Sequence, residues 1–221
     1  MTRTPWGATG FVCDFDGTIT MEDVAVALLQ AYAPHTWQPP VQAFVAGEIT
    51  VEELLQQQFA CVRASERELT DYAVAHAVIR PGFPEFVAGC QRRGFPLTIA
   101  SAGLAFYLHA ILQRAGIAVP EIDCGRAEFT PNGIRVTYGH LTHEDGERTL
   151  DLKERAVERL RRAGYRVVYI GDGLADLSAA RRADLVFACG RLAEACDEHS
   201  IAYQPFTDFY AIIAALAERP A

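Results

Sequence analysis

Residues 14–18, Asp-Phe-Asp-Gly-Thr, set two carboxylates two positions apart. On an extended backbone side chains repeat every second residue, so Asp14 and Asp16 leave the chain on one side, and Gly17 allows a sharp turn behind them. A second acidic group, Gly171-Asp172-Gly173 followed by Asp176, has its two carboxylates one helical turn apart. Four acids brought together repel one another and need a cation. A hard divalent ion such as Mg²⁺ suits them, because it takes oxygen ligands, keeps several waters and relies on one or two carboxylates plus a substrate phosphate. Two further segments offer groups that hold anions. Ser101-Ala102-Gly103 combines a hydroxyl with backbone N–H groups at a helix start, where phosphate binds readily. Lys153, two residues after Asp151, supplies a fixed positive charge. Singly, each has an ordinary structural reading: Asp-Gly is common in turns, a serine before a helix is a common N-cap, and most lysines are solvated. Their order along the chain makes them a set.

These residues need elements to deliver them. Gly10 to Phe15 hold an apolar run, Phe-Val-Cys, that ends on acids and reads as a buried strand carrying Asp14 and Asp16 at its tip. From Met21 to about Ile79, helix formers with apolar residues at three-to-four spacing predict a helical segment of about 60 residues, broken near Pro34 to Pro40. A helix over 84–93, a strand ending at Ser101 and a helix over 104–113 follow. Pro131-Asn132-Gly133 between β-rich flanks predicts a hairpin. A helix over 152–163, a strand over 165–172, a helix over 176–182, a strand over 184–188 and a last helix from about Asp208 complete the pattern. Strands alternating with helices predict an α/β fold of Rossmann-like type: a doubly wound parallel sheet binding its ligand at the strands' carboxyl ends, with a helical insertion and a β-hairpin elaboration.

Composition narrows the function classes. The chain is 50% apolar and 22% charged, enough to bury a core along most of its length. Its net charge of −8, with no run of four basic residues, argues against nucleic acid and anionic membrane as partners. Six scattered cysteines without a Cys-x-x-Cys pair read as reduced thiols, and the absence of an apolar leader or spanning segment predicts a soluble cytoplasmic protein. No P-loop or dinucleotide fingerprint is present. His140 and His143 have the spacing of a helical metal pair, but they sit in a Gly/Thr-rich stretch without a third ligand and are read as non-ligands.

The order strand-DxDGT, strand ending in serine, lysine opening a helix, strand ending in GDGLAD resembles the four motifs of the haloacid dehalogenase superfamily of phosphohydrolases. The helical segment between the first two motifs resembles the small cap of its phosphoserine phosphatase branch. CDFDGTIT with Asp23, AYAPHTW, IRPGFPEFV, YIGDGLADLSAA, ADLVFA and PFTDFY resemble more closely the methionine-salvage phosphatases that act on 2-hydroxy-3-keto-5-methylthiopentenyl-1-phosphate. The stretch between Cys124 and Leu152 departs from that pattern.

The resemblance implies a catalytic core of residues 1–19 and 81–221, a helical cap of 20–80, and hydrolysis of a small phosphorylated metabolite. Asp14 is then the nucleophile that becomes an aspartyl-phosphate, and Asp16 the general acid and base. Mg²⁺ is held by Asp14, the backbone carbonyl of Asp16 and Asp172, with Asp176 behind them. Thr18, Ser101, Ala102, Gly103 and Lys153 hold the phosphoryl oxygens, Thr18 and Gly17 also shape the loop, and Asp23 reads the substrate from the cap side. Phosphoserine is an alternative substrate, for whose carboxylate the cap segment offers only Arg63 and Arg67. A receiver-like phospho-acceptor domain is the reading from a different class. The sequence leaves a homodimer open.

Overall fold

A computed structural model describes residues 7–139 and 150–218. Thr9–Cys13 form strand β1, buried at every position. Four helices follow: α1 (Val24–Tyr32), α2 (Pro39–Val45), α3 (Val51–Phe59) and α4 (Glu66–His76). They resolve the predicted helical segment into short pieces, and capping boxes set two of the starts, Thr50 with Glu53 for α3 and Ser65 with Glu68 for α4. Then come α5 (Phe83–Arg93), β2 (Leu97–Leu104), α6 (Ala105–Arg114), β3 (Glu121–Thr130), β4 (Gly133–Thr137), α7 (Leu152–Arg162) and β5 (Arg166–Gly171). A single 3₁₀ turn at Leu174–Asp176 leads into the short α8 (Leu177–Ala180), followed by β6 (Leu185–Ala188), α9 (Gly190–Glu198), β7 (Gln204–Pro205) and α10 (Phe209–Glu218).

The strands form one sheet in the order β4-β3-β2-β1-β5-β6-β7. All neighbours are parallel except β3 and β4, the expected hairpin, which closes with Thr130 opposite Gly133. Alternation along the strands separates two apolar layers. Phe11, Cys13, Val168, Ile170 and Phe187 face the layer built with α5, α6, α10 and the α1–α4 segment. Val12, Val167, Tyr169, Val186 and Ala188 face the layer built with α7, α8 and α9. A strand buried on both faces must be apolar at successive positions, which is why β1, β5 and β6 read as runs. Helix α9 and strand β7 lie outside the sequence expectation: Gly190–Glu198 buries only Leu192, Ala195 and Cys196, and β7 has two residues.

The register brings the strands' carboxyl ends level. Cys13 pairs with Ile99 on one side and Ile170 on the other, and Gly171 pairs with Ala188. One edge therefore carries Asp14, Ser101 and Asp172. All six cysteines are free. Among the described residues no helix is long and apolar enough to cross a membrane. His140 and His143 lie outside the described residues.

Candidate active site

The β1 run ends and the next residue is Asp14, whose N–H donates to the Ile170 carbonyl at 2.9 Å. That bond keeps Asp14 in register with β5 and buries its side chain. Opposite it, the capping box of α7, in which the Asp151 carboxylate accepts from the Glu154 N–H and the Glu154 carboxylate from the Asp151 N–H, fixes the helix start. Lys153 on the first turn therefore points inward. Its ammonium is buried and donates to Asp176 Oδ1 at 2.5 Å and to Asp14 Oδ1 at 2.9 Å. Burial opposes the charge of Lys153, but the two carboxylates outweigh it and raise its pKa, so it stays a cation.

Asp176 is fully buried and saturated. Oδ1 accepts from Lys153 and from the Tyr169 hydroxyl at 2.6 Å, and Oδ2 from the N–H groups of Asp172 at 2.9 Å and Gly173 at 2.8 Å. Four donors occupy its lone pairs, so it anchors the Gly171–Gly173 turn and Lys153. Asp172 is placed by that turn. Its Oδ1 accepts from the Thr18 hydroxyl at 2.7 Å. Gly17, at φ +76°, lies so close to Asp172 that an added Cβ would overlap the carboxylate.

Oxygens of Asp14, Asp172 and Asp176 lie within 4.8 Å of one another. Burial, then the charge of Asp176, pushes Asp14 well above the usual carboxylate range and Asp172 up to about 6. A hard cation would relieve that repulsion. The donor set fits one: all oxygen, with Asp14 Oδ2 and Asp172 Oδ2 accepting no hydrogen bond among the described residues.

Asp16 is half-buried and its carboxylate is not among the oxygens of this cluster. Its Oδ1 accepts from the Val24 N–H at 3.1 Å and its Oδ2 from the Tyr107 hydroxyl at 2.6 Å. Burial and the nearby charge of Asp23 push its pKa up to about 8, against the lowering effect of those two donors. A carboxyl that carries a proton near neutral pH can serve as a general acid. The sequence did not single out Tyr107, which sits on the buried face of α6 and reads there as core. Its structural signature is Gly103, where an added Cβ would meet the Tyr107 hydroxyl and Asp16 Oδ2.

Ser101 is buried within β2 and does not cap α6, which starts four residues later. Its Oγ accepts from the Gly103 N–H at 3.0 Å, so that N–H is already used. The Ala102 carbonyl accepts from the Tyr138 hydroxyl at 2.6 Å. Asp23 is exposed, caps α1 by accepting from the Val26 N–H at 2.8 Å, and stands at a cavity of about 250 Å³ with Met21, Tyr72, His76 and Val78. Arg63 folds back onto the carbonyls of Ala60 and Val62, and Arg67 pairs with Asp71 in solvent.

The sequence pattern of haloacid dehalogenase-like hydrolases matches residues 11–181. The chain belongs to that family. It is 35% identical over 208 residues to the 2-hydroxy-3-keto-5-methylthiopentenyl-1-phosphate phosphatase of Geobacillus kaustophilus, covering 92% of this chain and 93% of that one. It is 33% identical to the protein of the same name from Brevibacillus brevis, covering 93% and 94%. A phosphoserine phosphatase solved as a phospho-aspartyl intermediate analogue superposes with a TM-score of 0.69 at 16% identity, over 94% of this chain and 98% of that one. The superposition shows a shared fold. As a member of this family, the chain has its DxDGT aspartates, Ser101, Lys153 and Asp172 at one sheet edge, on the four segments picked out by sequence.

Proposed function

We propose that this chain is a Mg²⁺-dependent phosphomonoesterase that works through a phosphorylated Asp14, and that its substrate is 2-hydroxy-3-keto-5-methylthiopentenyl-1-phosphate, as in the relatives' names. The observation that carries this reading is the Asp14 carboxylate: buried, with Oδ1 held by Lys153 and Oδ2 accepting no hydrogen bond among the described residues. In this reading the Asp14 carboxylate attacks phosphorus in line and the alkoxide leaves with the proton of Asp16. Asp16, now a carboxylate, takes a proton from the water that hydrolyses the acyl phosphate. Lys153 has one N–H beyond its two ion pairs, and that donor and the Ser101 hydroxyl stabilise charge on the transferring group. A bound Mg²⁺ supplies charge neutralisation between nucleophile and phosphate, and Asp14, the Asp16 carbonyl and Asp172 are the groups to hold it.

Residues 20–80 serve as a cap on a core of 1–19 and 81–221. The two crossings between them pair, Thr20 with Ile79, through bonds from the Met21 N–H to the Val78 carbonyl and from the Arg80 N–H to the Ile19 carbonyl. Glu52 on α3 reaches across and accepts from the Leu152 N–H at 3.1 Å. Asp23 sits on the cap side of Asp16, where its charge reads a polar group of the substrate. The free thiols suit a reducing, cytoplasmic setting.

The test is release of inorganic phosphate with Mg²⁺ from a panel that includes the methionine-salvage ester and phosphoserine. The salvage ester is expected to give the highest kcat/KM. A preference for phosphoserine would overturn the substrate assignment, and no release from any ester would overturn the activity.

A further inference from the structure

Arg80 lies where three segments meet: it follows the Thr20–Ile79 bridge, precedes α5, and faces the segment ahead of α10. The residue is 7% exposed. Its Nε donates to the Thr18 carbonyl at 2.7 Å, Nη2 to the Gly17 carbonyl at 2.5 Å and Nη1 to the Thr207 carbonyl at 2.9 Å. The Phe206 ring lies under the guanidinium, 5.5 Å from carbon to centroid.

Burying a guanidinium is costly unless its planar fork of donors is used. Among the described residues Arg80 makes no ion pair, and the fork is spent on main-chain carbonyls. An apolar side chain would fill this space without that cost, so the fork's use lies in what it fixes. Two of its three acceptors belong to Gly17 and Thr18. The other side of the same two residues is the Asp172 carboxylate, which the Thr18 hydroxyl bonds and the Gly17 backbone abuts.

We propose that Arg80 is a positioning residue for the divalent-cation site: by gripping the carbonyls of Gly17 and Thr18 it presses the Thr18 hydroxyl and the Gly17 backbone onto Asp172 and fixes where that carboxylate points its other oxygen. The inference rests on reading Asp172 as a cation ligand. Groups that orient metal ligands typically change affinity 10- to 100-fold when altered. Arg80 therefore sets the affinity for the cation.

The experiment is a calorimetric titration of the substrate-free, full-length protein with MgCl₂. Arg80→Lys keeps the charge and loses the fork, and its dissociation constant for Mg²⁺ is expected to rise about 10-fold or more. Thr18→Val cuts the same path further along, so adding Arg80→Lys to it is expected to change affinity far less than in the wild type, the signature of coupled sites. If Arg80→Lys does not fold, Phe206→Leu removes the ring beneath the guanidinium and leaves its hydrogen bonds, with an expected weakening of about 2- to 5-fold. A wild type that does not bind Mg²⁺ would overturn the cation-site reading itself. A wild type that binds, with variants of unchanged affinity or a fully additive pair, would overturn the role of Arg80.

Discussion

Removing one hydroxyl tests the role given to Asp16. Tyr107 is fully buried, and its hydroxyl donates to Asp16 Oδ2 at 2.6 Å, leaving the Val24 N–H as the other anchor of that carboxyl. Tyr107→Phe deletes that donor and leaves the ring's packing against Phe15 and Phe106. A hydrogen bond to a charged group is worth about 1.5–3 kcal/mol, so if the bond holds Asp16 in its working position the variant loses about 10- to 100-fold. The loss should depend on the leaving group. Because kcat/KM reports steps through formation of the phosphorylated enzyme, an alkyl phosphate, whose alkoxide needs a proton, bears the whole loss. An activated aryl phosphate, whose phenolate leaves unaided, is expected to lose less than about 3-fold. The hydroxyl also favours the ionised form of Asp16, so the variant's basic limb is expected to move to higher pH. Steady-state kinetics on the two esters across pH gives both readings. Equal losses on both esters would refute the assignment of Asp16 as the acid.

Three further outcomes follow from the same geometry. Lys153→Met leaves the buried Asp14 and Asp176 facing each other without a cation, which is expected to cost about 3–5 kcal/mol in metal-free protein and to lower Tm by about 6–20 °C in a thermal melt. Asp172, at about 6, and Asp16, at about 8, hold protons more tightly folded than in the unfolded chain, where aspartate titrates near 3.9. Their contribution to stability is therefore present at low pH and lost as pH rises from about 4 to about 8, so Tm in chelator is expected to fall across that window, with Mg²⁺ restoring more at the alkaline end; a Tm that rises with pH in chelator would contradict this. Asp23→Asn keeps a good N-cap for α1 while removing the charge, so no loss of Tm and a lower kcat/KM on the true substrate alone are expected, and an equal loss on a small alkyl phosphate, which needs the proton of Asp16 just as much, would contradict substrate reading.

The sheet and its edge were legible because β1, β2 and β5 are buried on both faces, which writes short apolar runs into the sequence, and the residues following two of those runs are Asp14 and Asp172. The hairpin was legible from Pro131-Asn132-Gly133. What the sequence does not display is who supports whom. Tyr107 falls on the apolar stripe of α6 and Arg80 beside a Pro-Gly turn, so nothing local separates them from core and linker. Asp176 reads as a fourth acid of the cluster, and only folding brings Tyr169, Lys153 and two backbone N–H groups onto it. Likewise Ser101 reads as a helix cap until β2 is seen to run past it to Leu104. Each of these roles depends on contacts between residues far apart in sequence or on how far an element extends.

If Asp14 is the nucleophile, the phosphoryl group rests on its carboxylate between the two steps of turnover. Acid quench of enzyme mixed with its phosphate ester and Mg²⁺ in the first turnover, followed by peptide mapping with mass spectrometry, measures it directly. One phosphoryl group on Asp14 is expected in the wild type and none in Asp14→Asn. Phosphate on another residue, or turnover by Asp14→Asn at the wild-type rate, would contradict it.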